Sequence, residues 1–116
     1  MQDILQSAES RIKELEQINI AKAYKTKIKA KALKRHKAKI TWKKLSKVTG
    51  YKVYRANKKK GKYKLIKTLS GPKKVTFTNS KLKKDNYYYY KVLPYTRING
   101  AVYKGKWSNI SRIKAK

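Results

Sequence analysis

Two residues in the basic part of this chain have side chains suited to proton transfer, His36 between Arg35 and Lys37, and Asp85 after Lys83-Lys84. General acid and base chemistry wants a second carboxylate, or a nucleophile beside the imidazole, and neither residue has one near it in sequence. The cations around His36 disfavour both its protonation and a bound metal. Cysteine is absent, which removes thiolate nucleophiles, disulfides and thiolate metal sites together. No Gly-rich phosphate loop is present. The sequence therefore offers no catalytic residue, no cofactor site and no metal site, and the chain reads as a non-enzyme.

The remaining chemistry is that of tyrosine among lysine. The 116 residues include 10 Tyr, and 34 Lys+Arg against 5 Asp+Glu, for a formal net charge of +29. The acids are concentrated at one end: residues 1–16 carry two bases and four acids, net −2, and residues 17–116 carry 32 bases and one acid, net +31. Self-repulsion on that scale destabilises a compact state, so the basic part predicts a polyanionic partner. Lysine-rich faces also keep sheet edges from pairing, which is the plainer use of some of this charge. Arginine is confined to Arg11, Arg35, Arg55, Arg97 and Arg112. Lysine is a hydrated point charge that reads base edges poorly, so the expected contact is diffuse and independent of ligand sequence.

These tyrosines need a strand to aim them. In Tyr87-Tyr88-Tyr89-Tyr90-Lys91-Val92, read as β, Tyr88, Tyr90 and Val92 share one face and Tyr87, Tyr89 and Lys91 the other. With the first set inside, Tyr54, Tyr87, Tyr89, Leu93 and Tyr95 fall on an outer face beside Lys52 and Lys91. Tyrosines can there stack on bases or sugars while the cations hold anionic groups. The alternative is that the same tyrosines stabilise a half-exposed sheet, or lie beneath the N-terminal helix.

The other strands follow from period-two alternation. Lysines alternate with Tyr24, Thr26, Ile28, Ala30 and Ala32, then Ala38, Ile40 and Trp42 face inward, followed by Tyr51 and Val53. Asn57 to Lys62 is a hairpin tip, Tyr63 to Lys67 a strand ended by Ser70-Gly71-Pro72, and Val75 to Thr78 a short β-branched strand. Asn99-Gly100 is a strong hairpin turn. Pro94 cannot donate a ladder bond, so its amide side must face a bulge or an unpaired edge. The last strand takes in Trp107 and Ile110, with Ile113 out of phase, which predicts a bulge or fraying near its end. The predicted core centres on Trp42, Tyr51, Leu82, Tyr88, Tyr90 and Val92.

Four of these stretches together resemble the fibronectin type III domain. Leu82 followed six residues later by Tyr88 is similar to its tyrosine corner, Ala38 to Trp42 to its second strand with a core Trp, and Gly50 to Arg55 to its third. Gly105-Lys106-Trp107-Ser108 looks like the approach to its last strand, as in Lys-rich repeats of bacterial surface proteins. The resemblance covers residues about 24 to 116. It implies an all-β, seven-stranded antiparallel, immunoglobulin-like sandwich preceded by a short α-helix, and says little about activity.

The domain plan is a helix at residues 1–19, a linker at 20–23 and the sandwich at 24–116. Met1, Leu5, Ala8, Ile12 and Leu15 are spaced 4-3-4-3, the a/d seam of a short coiled coil, with Asn19 at the next a position. Two heptads are too few for a stable free coiled coil, so the helix needs something to pack on. Its own sandwich is one answer and a homo-oligomer seam through Leu5, Ala8, Ile12 and Leu15 the other. No apolar run is long enough to cross a bilayer, so no membrane insertion is expected. The expected function is structural or adhesive: a module of a longer surface or secreted protein holding an anionic cell-envelope polymer, or another protein. The alternative is an intracellular or virion protein that neutralises nucleic acid.

Overall fold

Alternation places Tyr88, Tyr90 and Val92 on one face of a long strand, and all three are buried, as are Trp42, Tyr51 and Leu82. The computed structural model describes residues 2–116, with side chains described from residue 11 onward. Its elements are α1 (Gln2–Ala23), β1 (Ile28–Leu33), β2 (Lys37–Trp42), β3 (Gly50–Ala56), β4 (Lys64–Ser70), β5 (Thr76–Asn79), β6 (Tyr87–Ile98), β7 (Ala101–Lys104) and β8 (Ser111–Lys114). All pairings are antiparallel. One sheet runs β1-β2-β5, and the other runs β4-β3-β6-β7 with β8 also on β6. Ile40, Trp42 and Ala38 from the first sheet meet Tyr51, Val53, Tyr90 and Val92 from the second in a single core.

Long-range bonds fix this arrangement. The Lys83 N–H donates to the Tyr88 hydroxyl at 2.8 Å. The Tyr51 hydroxyl donates to the Pro72 carbonyl and accepts from the Leu45 N–H, both at 2.8 Å. Tyr90 and Arg55 both donate to Asn79 Oδ1 at 2.9 Å. The two sheets are also tied at their edge, where Asn109 accepts from the Ile28 N–H and returns a bond to the Ile28 carbonyl. Asn99 and Gly100 both have positive φ, 49° and 83°, the geometry of the tight hairpin their sequence predicts.

The described residues carry eight strands where seven were predicted, because the last strand is split. After β7 the chain leaves regular pairing, yet Gly105 N–H still donates to the Pro94 carbonyl and Ser108 N–H to the Val92 carbonyl, at 2.9 and 3.0 Å. Two residues, Lys106 and Trp107, thus bulge out between those attachment points. Ser108 Oγ accepts the Val92 N–H at 2.8 Å and closes the gap in the ladder. Pro94, with no N–H, sits at this break, as its chemistry requires. The bulge also resets the phase: Trp107 and Ile110, expected together in the last strand, are both exposed, and Ile113, out of phase with Ile110, is the residue that reaches the core.

The helix differs from its prediction too. The expected linker at residues 20–23 is its last turn, since Ile20-Ala21-Lys22-Ala23 contains no breaker and two alanines. Ala21 is buried, and the Tyr24 N–H closes the turn on its carbonyl at 3.3 Å. α1 meets the sandwich at β6 and β7, where Ala21 and Tyr24 line a groove with Thr96 and Ile98. The side chains of Leu5 and Ala8 lie outside the described residues. Ile12 and Leu15 are 56% and 59% exposed, so this part of the helix is not docked on its own sandwich.

Candidate functional site

Along the outer face of the larger sheet, register sets the neighbours: Tyr54 pairs with Lys91, Lys52 with Leu93, and Tyr89 with both Ala56 and Arg112. Across this face the Lys91 ammonium is held between two rings, 3.8 Å from the centroid of Trp107 and 4.1 Å from that of Tyr63. Trp107 in turn meets Tyr54 edge-on, with centroids 4.8 Å apart and planes at 82°. Desolvation by these rings lowers the Lys91 pKa from the ordinary lysine value. Burial raises the pKa of Tyr63, with nearby Tyr89 adding to it. The strands bearing this face, β3, β4, β6 and β8, contain no carboxylate, so the charge of Lys91 is met by π-faces alone.

The bulge before β8 makes this cluster. It turns Trp107 out of the core side and lays it over Lys91 with 41% of its surface exposed, while Trp42 stays in the core at 6%. Farther along β6, Arg112 and Lys114 lie over the ring of exposed Tyr87, at 4.8 and 5.9 Å from its centroid. Between them and the cluster, Lys59, Tyr89, Ile110 and Arg112 line a shallow groove of about 200 Å³. The outer face is thus a band of rings alternating with cations.

The outer face predicted for these residues is corrected at one end and extended at the other. Tyr54, Tyr87, Tyr89, Lys52 and Lys91 occupy the face as expected. Tyr95 does not: it is 7% exposed, and Leu93 beside it is buried as well. The Tyr95 ring lies across Gly50, its register partner, so closely that a Cβ on Gly50 would come 2.7 Å from the phenol oxygen. Lys52 caps the other side of that ring, 5.6 Å from the centroid. Tyr95 therefore packs against the sheet and is not free to meet a ligand. Sequence reasoning missed Trp107 and Tyr63, assigning both to strands without asking which way they face. Gly105 was the available signal: a Cβ there would fall 2.3 Å from the Tyr24 carbonyl oxygen. A glycine required by close backbone approach often marks an irregularity in a strand.

The N-terminal helix does not lie over this band. α1 reaches β6 at its Thr96 and Ile98 end, roughly 23 Å along the strand from Tyr89 at about 3.3 Å per residue. His36 and Asp85 are both exposed, in turns with positive φ, 62° and 68°. Among the described residues no three His, Cys, Asp or Glu side chains group as metal ligands. No described helix is long and apolar enough to cross a membrane.

No family model and no curated protein matches the chain. Solved structures do. An Fn3-like protein from Clostridium thermocellum is 22% identical, with a TM-score of 0.62 over 77% of this chain and 88% of that one. The chicken CNTN1 FN1-FN3 domains are 16% identical, with a TM-score of 0.65 over 81% of this chain and 31% of that one. Pectate lyase Pel3 from Pectobacterium carotovorum is 21% identical, with a TM-score of 0.62 over 77% of this chain. The chain spans about a quarter of the lyase, 26% of its length. The fold is that of a fibronectin type III-like domain.

Proposed function

We propose that this fibronectin type III-like domain is a non-enzymatic binding module that holds an anionic polymer along the outer face of its larger sheet. Trp107, Tyr54 and Tyr89 supply ring surfaces for stacking, and Lys91, Lys52, Lys59 and Arg112 supply the charge. The observation that carries this reading is Lys91, a partly desolvated cation held by Trp107 and Tyr63 on strands without a single carboxylate. A lysine recruited only for solubility would extend into water; this one is held in place beside an exposed indole. Stacking on such rings is worth about 1–3 kcal/mol per ligand ring where it has been measured on nucleic acids.

A polyanionic polysaccharide of a cell envelope is the ligand class favoured here, with the domain forming part of a longer surface or secreted protein. The resemblance of its strand motifs to Lys-rich repeats of bacterial surface proteins supports this. So does the scarcity of arginine, since base-edge readout relies on its forked donor geometry. Nucleic acid is the competing ligand, because the same rings and charges suit an unstructured single strand.

Titration with polygalacturonate, single-stranded DNA and uncharged dextran, followed by tryptophan fluorescence, tests the proposal. The polyanions are expected to shift Trp107 emission and dextran is not. Affinity should fall on the order of 10³-fold between 50 and 200 mM salt if six or more anionic groups are engaged. Trp107→Ala should weaken binding about tenfold, the lower end of a stacking contribution, with little change in melting temperature. Salt-insensitive binding, or unaltered affinity in Trp107→Ala, would remove this face from consideration. Tighter binding of single-stranded DNA than of polygalacturonate would favour the nucleic-acid reading.

A further inference from the structure

The helix presents two faces, and the sandwich uses only one. Ala21 is buried where α1 meets the end of β6 and β7. At about 100° per residue, Ala21 lies about 180° around the helix from Ile12. Docking through Ala21 therefore turns Ile12, Leu15 and Asn19 away from the domain, and all three are exposed. Most helical stability in proteins comes from packing of the apolar face, and this stripe has no cover from its own domain.

We propose that α1 pairs with α1 of a second copy as a parallel, in-register, two-stranded coiled coil. The residue types specify that partner. A β-branched residue at a with leucine at d favours two strands, and Ile12 and Leu15 hold those positions in one heptad, with Leu5 and Ala8 at a and d of the heptad before it. Asn19, at the following a position, is the polar residue that fixes register in such a pair.

Charge makes the same choice. In this heptad frame Arg11 is at g and Glu16 at e, and both are exposed. In a parallel pair each g residue faces the e residue of the partner's next heptad, so Arg11 of each copy meets Glu16 of the other, twice per dimer. In an antiparallel pair g faces g and e faces e, which would set Arg11 near Arg11 and Glu16 near Glu16. The seam ends at Asn19: Lys22, at the next d position, is turned onto the domain, 6.0 Å from the Tyr103 ring centroid.

A parallel pair releases both chains from the same end of the coil, so the two basic domains lie side by side. Residues 1–16, net −2, pair without repulsion in the seam itself, while the domains of net +31 set beside each other repel until salt or a bound polyanion screens them. Two outer faces held together engage one polymer with higher avidity than either alone.

Sedimentation velocity over a concentration series at high salt is expected to show a reversible doubling of mass. Ile12→Glu combined with Leu15→Glu, at exposed positions that leave the sandwich intact, should hold the protein as a monomer with unchanged near-UV circular dichroism. Because the chain has no cysteine, Asn19→Cys supplies a single thiol that should oxidise to a covalent dimer at least tenfold faster than Lys13→Cys on the outer side of the coil. A wild type that stays monomeric at every concentration, or a dimer unaffected by the double Glu variant, would overturn the proposal. A dimer in which Asn19→Cys crosslinks no faster than Lys13→Cys would overturn the parallel register.

Discussion

The amide of Lys83 donates to the hydroxyl of Tyr88 across a turn, 2.8 Å from nitrogen to oxygen. Tyr88 is buried next to Leu82, and Arg55 lies over its ring, 5.3 Å from the centroid. Together with the Asn86 N–H to the Lys83 carbonyl at 3.2 Å and the Asp85 N–H to the Ala115 carbonyl at 2.8 Å, this bond holds the turn that leads into β6, whose pairing sends Tyr90 and Val92 inward and Tyr89 and Lys91 outward.

Tyr88→Phe keeps the ring and its contact with Arg55 but leaves the Lys83 N–H without its acceptor. A loss of about 1–3 kcal/mol is expected, the usual cost of an unmet polar group. Urea unfolding measures it, and an unchanged midpoint would mean that the turn is held by something else.

Gly50 and Tyr95 behave as a pair. Gly50→Ala would put a methyl 2.0 Å from the Leu69 carbonyl oxygen and 2.7 Å from the Tyr95 hydroxyl, so strands must separate, at a cost of about 3 kcal/mol or more. Tyr95→Ala uncovers the same glycine and should lower thermal stability while leaving polyanion affinity unchanged. Weaker binding at unchanged stability would return Tyr95 to the ligand face.

Lys91 should titrate below the ordinary lysine value, because desolvation opposes its charged form. The sign follows from linkage. With the folded pKa depressed, the unfolded chain holds the proton more tightly. The cost of burying this charge is therefore present at neutral pH and is relieved as pH rises toward 10.5. Nitrogen-detected NMR of the side-chain ammonium groups would give its midpoint, and Trp107→Ala should return it to the ordinary range by letting water in.

Tyr90 is expected to act in the opposite sense. Burial raises its pKa above the ordinary 10.0, with Arg55 opposing the shift. The folded state thus keeps the phenol proton after the unfolded chain has released it, and the stability this confers is lost as pH rises past 10.0. At neutral pH Tyr90→Phe should be less stable than wild type by about 1 kcal/mol for its lost bond to Asn79. That gap should close above pH 10.0, and denaturant midpoints that stay parallel would show that Tyr90 does not titrate on unfolding.

Much of the sandwich was legible because it rests on local alternation. Ala38, Ile40 and Trp42, then Tyr51 and Val53, then Tyr88, Tyr90 and Val92 all face inward as their spacing requires. Asn99-Gly100 turns as its side chains dictate, and Tyr54, Tyr89 and Lys91 lie outside because their neighbours lie inside. The site was legible only where strands are regular. Trp107 escaped because a bulge of Lys106 and Trp107 shifts the phase, and Tyr63 because it precedes its strand.

The sequence by itself determined the parity of each strand, the segregation of acid into the helix and base into the sandwich, and the absence of paired catalytic groups from the basic part. Those properties reside in adjacent residues and in composition. Only the tertiary structure decided that Tyr95 is sealed over Gly50, that Trp107 and Tyr63 enclose Lys91, and that α1 docks through Ala21 with Ile12 and Leu15 in water. Each of these depends on which backbone segments lie side by side across dozens of residues, and that is set by packing of the whole core and by a bulge whose place and direction local periodicity does not fix.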